Sequence, residues 1–198
     1  MEIDVIIKNN YLDVRHSSED STSLKLDDLI KIQKEKENIL WLDVKEVKST
    51  EQCNNLSSIL KNFHLKNDKI KLFIEFPSEI VNEISIYKEC ILKIKSMNFP
   101  ISYYIPNDVK SKCVKEEGFD QSGKNNCQYL EKLVEKIHKS ALFTDLSFDY
   151  KNYDLLKNNR LLDNFVLNTW HIPDEEIILI KDLNFRLVIP FNDNINYN

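Results

Sequence analysis

Glycine is the most informative scarcity in this chain: there are two, Gly118 and Gly123, five residues apart. A phosphate-cradling loop, a dinucleotide fingerprint and a Gly-x-Ser-x-Gly nucleophile elbow all need glycine where the backbone meets a ligand or turns sharply. All three are excluded. The four cysteines, Cys53, Cys90, Cys113 and Cys127, form no Cys-x-x-Cys pair, so they read as reduced thiols of a cytoplasmic chain. No basic block occurs, and 27 Lys plus Arg stand against 32 Asp plus Glu for a net charge of -5. Nucleic-acid binding through charge alone is therefore not expected. No apolar run reaches the roughly 18–20 residues of a membrane span. The first residues lead straight into a strand rather than a signal peptide, which again points to the cytoplasm.

What is present is a regular alternation. Buried-type strands are expected at Asn38 to Lys45, Lys69 to Phe76, Phe99 to Ile105, Ala141 to Phe148, Phe165 to Trp170 and Phe185 to Ile189, after a first strand at the N-terminus. Between them lie amphipathic helices, over Thr50 to Phe63, from Ser78 onward, over Gln128 to Lys139 and over Tyr153 to Asn164. Asn107 to Asn126, which holds both glycines, has no regular pattern. Continuous apolar strands alternating with helices indicate a parallel sheet covered by helices, in one α/β domain spanning residues 1–198. About seven strands can be counted, where a closed (β/α) barrel needs eight.

The chain is organised around its first sixteen residues. Glu2 and Asp4 stand two apart in a β-branched run, so a strand places both carboxylates on one face and turns Ile3 and Val5 into packing. Neighbouring carboxylates repel unless a proton or cation lies between them, and a hard divalent ion suits such an oxygen pair. After a polar break, Tyr11 to Arg15 lead back to His16. Asp43 and Lys45 repeat the two-residue spacing on the next strand, and Glu75 follows near the end of the third. Ionisable groups on consecutive buried strands are costly unless they pair or bind something, which makes these strand ends a candidate site. Trp41, Tyr104 and Trp170 fit either a pocket lining or apolar filling. Alternation sets His171 on the face opposite Trp170 and so away from a pocket that Trp170 would line.

The order Glu2-Ile-Asp4-Val, then His16, then Leu42-Asp43-Val44-Lys45 resembles the glycerophosphodiester phosphodiesterases of the phospholipase C-like phosphodiesterase superfamily. The run from His16 through Leu24-Lys-Leu26-Asp27-Asp28-Leu29 is closer still to the menorin-like branch, the FAM151 proteins. Leu167-Asn-Thr169-Trp170 resembles the family's Trp-Thr-Val-Asn segment, with Glu175 and Glu176 as its acidic helix opening. The resemblance implies a TIM-type barrel and a divalent metal, magnesium or calcium, on Glu2, Asp4 and Asp43, with Asp43 standing where the family has Glu. Lys45 would meet a phosphate oxygen, and His16 would be one of two proton-transferring histidines. Glu75, Tyr104 and Trp170 are candidates for contacting substrate. The implied partner is a glycerophosphodiester-like or other phosphate-linked small molecule.

Members of the family carry a further histidine on a strand ahead of Glu-x-Asp. Compared with them this chain starts one strand late, so a non-catalytic ligand- or partner-binding member is the alternative to an enzyme. A surface-polysaccharide biosynthesis enzyme on the same barrel is another. The sheet edge left by the absent strand is expected to be covered by another segment, by a second copy of the chain or by aggregation.

Overall fold

The computed structural model describes residues 2–15, 24–32, 39–117, 127–157, 160–177 and 184–190. It is a mixed α/β protein whose chain falls into two compact units, Met1–Ser102 and Tyr103–Asn198. Among the described residues there are eight strands rather than about seven. The added one is a hairpin return near the N-terminus, and it makes the sheet mixed rather than wholly parallel.

In the first unit, β1 (Glu2–Ile7) lies between β2 (Leu12–Val14), antiparallel to it, and β3 (Ile39–Val44), parallel to it. β4 (Lys71–Phe76) continues in parallel beside β3. The edge that β1 turns away from β3 is thus covered by the chain itself, and β2 is bridged in turn through Asp13 and Lys25. α1 (Leu26–Ile32) follows, with acidic Asp27 and Asp28 in its first turn, where the helix dipole favours them. α2 (Thr50–Lys66) begins at Ser49, whose hydroxyl accepts the Gln52 N–H at 3.1 Å while the Gln52 side chain accepts from the Lys48 N–H. This is a capping arrangement that fits the Ser-x-x-Gln spacing. α2 buries Cys53, Leu56, Leu60 and Phe63 on one face, as the helical period requires. After β4, Pro77 fixes an extended approach, and Ser78–Glu83 form a 3-10 turn before α3 (Ile84–Lys95). The long helix expected from Ser78 is therefore shorter, and no side chain caps its start.

β5 (Ile101–Tyr104) carries the boundary between the units. The segment entering it accepts the Ile74 N–H through Pro100 in the first unit; the Ile105 N–H just beyond it bonds to Ser147 in the second. The second unit holds α4 (Val109–Glu117), inside the stretch expected to be irregular, then α5 (Gln128–Ser140). β6 (Asp145–Asp149), β7 (Val166–Ile172) and β8 (Phe185–Pro190) are parallel neighbours in that order. Between β6 and β7 the expected single helix is broken into a 3-10 turn, the four-residue α6 (Tyr153–Leu156) and a second 3-10 turn. Asp145, fully buried, is held by Arg186 at 2.8 Å, Asn168 at 3.2 Å and Thr144 at 2.6 Å, so its charge is compensated where no water reaches.

The cysteines differ from expectation. Cys53 pairs with Cys90, tying α2 to α3, and Cys113 pairs with Cys127, tying α4 to the start of α5. They are disulfides rather than reduced thiols, because packing brings together pairs separated by 37 and 14 residues, which spacing along the chain does not show.

Candidate metal centre and phosphate site

Strand register builds the site. Asp4 lies beside Asp43, and Asp43 beside Glu75, across three neighbouring parallel strands. Ile3 and Val5 are buried on the other face of β1, as alternation requires. Carboxylate oxygens of Glu2, Asp4 and Asp43 all lie within 4.8 Å of one another. Ligand oxygens at about 2.0–2.6 Å from a single ion are separated by no more than about 5 Å, so this spacing suits one magnesium or calcium ion.

Lys45 sits among the acids, 2.7 Å from Asp4 and hydrogen-bonded to Asp43. Burial opposes its charge, but Asp43 and Asp4 outweigh burial and hold its pKa above the usual lysine value. One ammonium does not balance three carboxylates. Burial, followed by Asp43 and Asp4, pushes the Glu2 carboxyl up to about 7. Asp43 is raised as well, by burial above all, against the pull of Lys45. A hard, oxygen-only donor set in which crowded carboxyls are pushed toward holding protons has the chemistry of a divalent-cation site.

The remaining sequence candidates go different ways. Glu75 is almost fully buried and accepts the Trp41 indole N–H at 3.1 Å; Trp41, buried too, packs edge-on against Phe73. Trp41 thus fills the core, and Glu75 bonds to it while lying outside the group of three carboxylates. Tyr104 and Trp170 belong to the second unit, where their rings stack at 5.6 Å. His16 lies outside the described residues. His171 departs from the expected alternation: its φ is 60°, and the β7–β8 register shifts between Trp170 and Ile172. The period of two does not run through a bulge, so Trp170 cannot fix where His171 points.

Sequence reading also missed the space beside Lys45. A cavity of about 540 Å³ is lined by Lys45 with Glu46, Asn82, Glu83, Tyr87 and Pro77. The Tyr87 hydroxyl donates to the Val47 carbonyl at 3.2 Å, fixing one wall. These residues come from the segment after β3 and the turn and helix after β4. Strand periodicity says nothing about such segments; their position after strand ends was the one available signal.

No protein-family model and no curated protein matches the chain. The fold is similar to the solved structure of a "putative glycerophosphodiester phosphodiesterase" from Galdieria sulphuraria, with a TM-score of 0.51 and 11% sequence identity, over 96% of this chain and 80% of that one. At that identity the likeness is one of fold.

Proposed function

We propose that the chain is a metal-dependent phosphodiesterase-like protein of the phospholipase C-like superfamily, on the barrel of that group and in its menorin-like branch, acting on a glycerophosphodiester-like or other phosphate-linked small molecule. The observation that carries this reading is the convergence of Glu2, Asp4 and Asp43 beside Lys45 on strands paired in register. Those three carboxylates would hold the ion. Bound there, a magnesium or calcium ion supplies Lewis-acid polarisation of phosphate oxygens. Lys45 lines the adjoining cavity and would bind a non-bridging phosphate oxygen. Its elevated pKa keeps it protonated through the neutral range, so it binds and orients rather than accepting a proton. His16 would take one of the two proton transfers, a task that suits an imidazole. The cavity walls would receive the remainder of the diester.

Calorimetry with magnesium and calcium, alongside hydrolysis of a panel of glycerophosphodiesters, tests this. Asp43→Asn should weaken cation binding by about tenfold or more, the scale of one lost charged ligand. Lys45→Ala should weaken phosphate binding while leaving cation binding in place. His16→Ala should lower turnover by about 10²–10⁴-fold with little change in cation binding. Cation binding unaltered in Asp43→Asn, or turnover surviving His16→Ala, would count against the respective roles.

A further inference from the structure

A second cavity, of about 530 Å³, is built wholly from residues of the second unit and uses none of the carboxylates or the lysine described above. We propose that it binds a neutral sugar, seated against the Tyr153 ring and hydrogen-bonded by Asp149, Lys151 and His171. Asp149 is the last residue of β6, and His171 stands next to last in β7. Both are at C-terminal ends of parallel strands, where loops rather than helix packing decide what fills the space.

The polar rim is held in place. One Asp149 carboxylate oxygen accepts the Lys151 backbone N–H at 3.2 Å; the other receives the Lys151 ammonium at 2.9 Å and faces His171 Nδ1 at 3.5 Å. His171 takes a left-handed backbone conformation, costly for a residue with a Cβ, yet its side chain is 57% exposed. Core packing therefore does not account for where that imidazole is placed. The apolar wall is ordered too. Tyr150 and Tyr153 stack with centroids 5.3 Å apart and planes 12° from parallel, and the Tyr150 hydroxyl donates to Glu176 at 2.6 Å.

Charge selects the ligand class. Asp149, Asp154 and Glu176 line the cavity against the single ammonium of Lys151, itself paired with Asp149, so an anion would meet a wall with an excess of carboxylates. A cation gains little, because each carboxylate already has a partner: Lys151 and His171 for Asp149, Lys157 for Asp154, and the Tyr150 hydroxyl for Glu176. A neutral ligand with hydroxyls for the rim and a C–H face for the tyrosine ring satisfies both walls. The slightly positive C–H bonds of a sugar face the negative π-cloud of the ring.

Saturation-transfer NMR on the full chain, in the presence of a chelator, tests this apart from any metal chemistry. The probes are glucose and galactose, with choline and inorganic phosphate as charged controls. We expect transfer to sugar ring protons at millimolar concentration, weakened about tenfold by Tyr153→Leu and by Asp149→Asn. If Tyr153→Leu fails to fold, His171→Asn serves instead, since that side chain is exposed and asparagine tolerates positive φ. Absence of transfer to either sugar, preference for choline or phosphate, or a sugar signal unaffected in all folded variants would overturn the proposal.

Discussion

At the scale of single residues, Glu2 states the electrostatic problem of the site most directly. Burial and the charges of Asp43 and Asp4 raise its carboxyl to about 7 from an ordinary 4.5. A carboxyl raised on folding stabilises the folded chain fully while protonated, below its unfolded value, and loses that contribution as pH rises through the folded value. The chelated protein should therefore lose thermal stability as pH climbs from about 5 to about 8, with Asp43 adding in the same direction. Glu2→Gln should flatten that slope, read as melting temperature against pH. A slope identical in the variant would show that Glu2 is not buried among like charges. Asp43 itself was legible from the sequence because two-residue spacing on a strand is a rigid geometric statement. Glu75 stands alone on its strand, and its hydrogen bond from the Trp41 indole, a neighbour 34 positions away, is not visible in any local spacing.

At the scale of elements, helix ends show where local chemistry is incomplete. α5 closes with Ala141 in the left-handed conformation, φ 55° and ψ 19°, its N–H bonded to the His138 carbonyl at 3.1 Å. Glycine takes that conformation without the clash a Cβ causes. Ala141→Gly should raise stability by about 0.5–1 kcal/mol, the steric relief less the extra freedom gained by the unfolded chain. Denaturant titration measures it; a lower midpoint would mean that the Ala141 methyl contributes packing that outweighs the strain. The broken helices between β6 and β7 carry the same lesson from the other side. Tyr153 opens the short helix and packs with Tyr150 and Phe185 from outside it, a cluster that helical spacing alone does not show.

At the scale of the whole molecule, each unit has one disulfide, Cys53–Cys90 in the first and Cys113–Cys127 in the second. Removing the longer bridge, as Cys53→Ala with Cys90→Ala, should cost about 2–4 kcal/mol, the loop-closure entropy restored to the unfolded chain. Bridges of this kind persist where the surroundings are oxidising, and cytoplasmic thiols stay reduced. Thiol labelling of the purified, unreduced chain should therefore find no reactive cysteine and two cross-linked peptide pairs. Four labelled thiols would show that neither bridge forms in the protein.

The sequence by itself determined the alternation of strands and helices and the pairing of Glu2 with Asp4. It also determined the matching Asp43 and Lys45 on the next strand, because periods of 2.0 and 3.6 residues are fixed by backbone geometry. It also settled that no glycine loop could serve a phosphate. Only the tertiary structure decided what depends on distant segments meeting. The hairpin strand that covers β1, the pairing of the cysteines, the capture of Glu75 by Trp41 and the cavity beside Lys45 are of this kind. So is the bulge at His171, where one added residue breaks the period on which the sequence reading relied. Local spacing constrains neighbours along the chain, whereas contacts across it are chosen by the packing free energy of the whole fold.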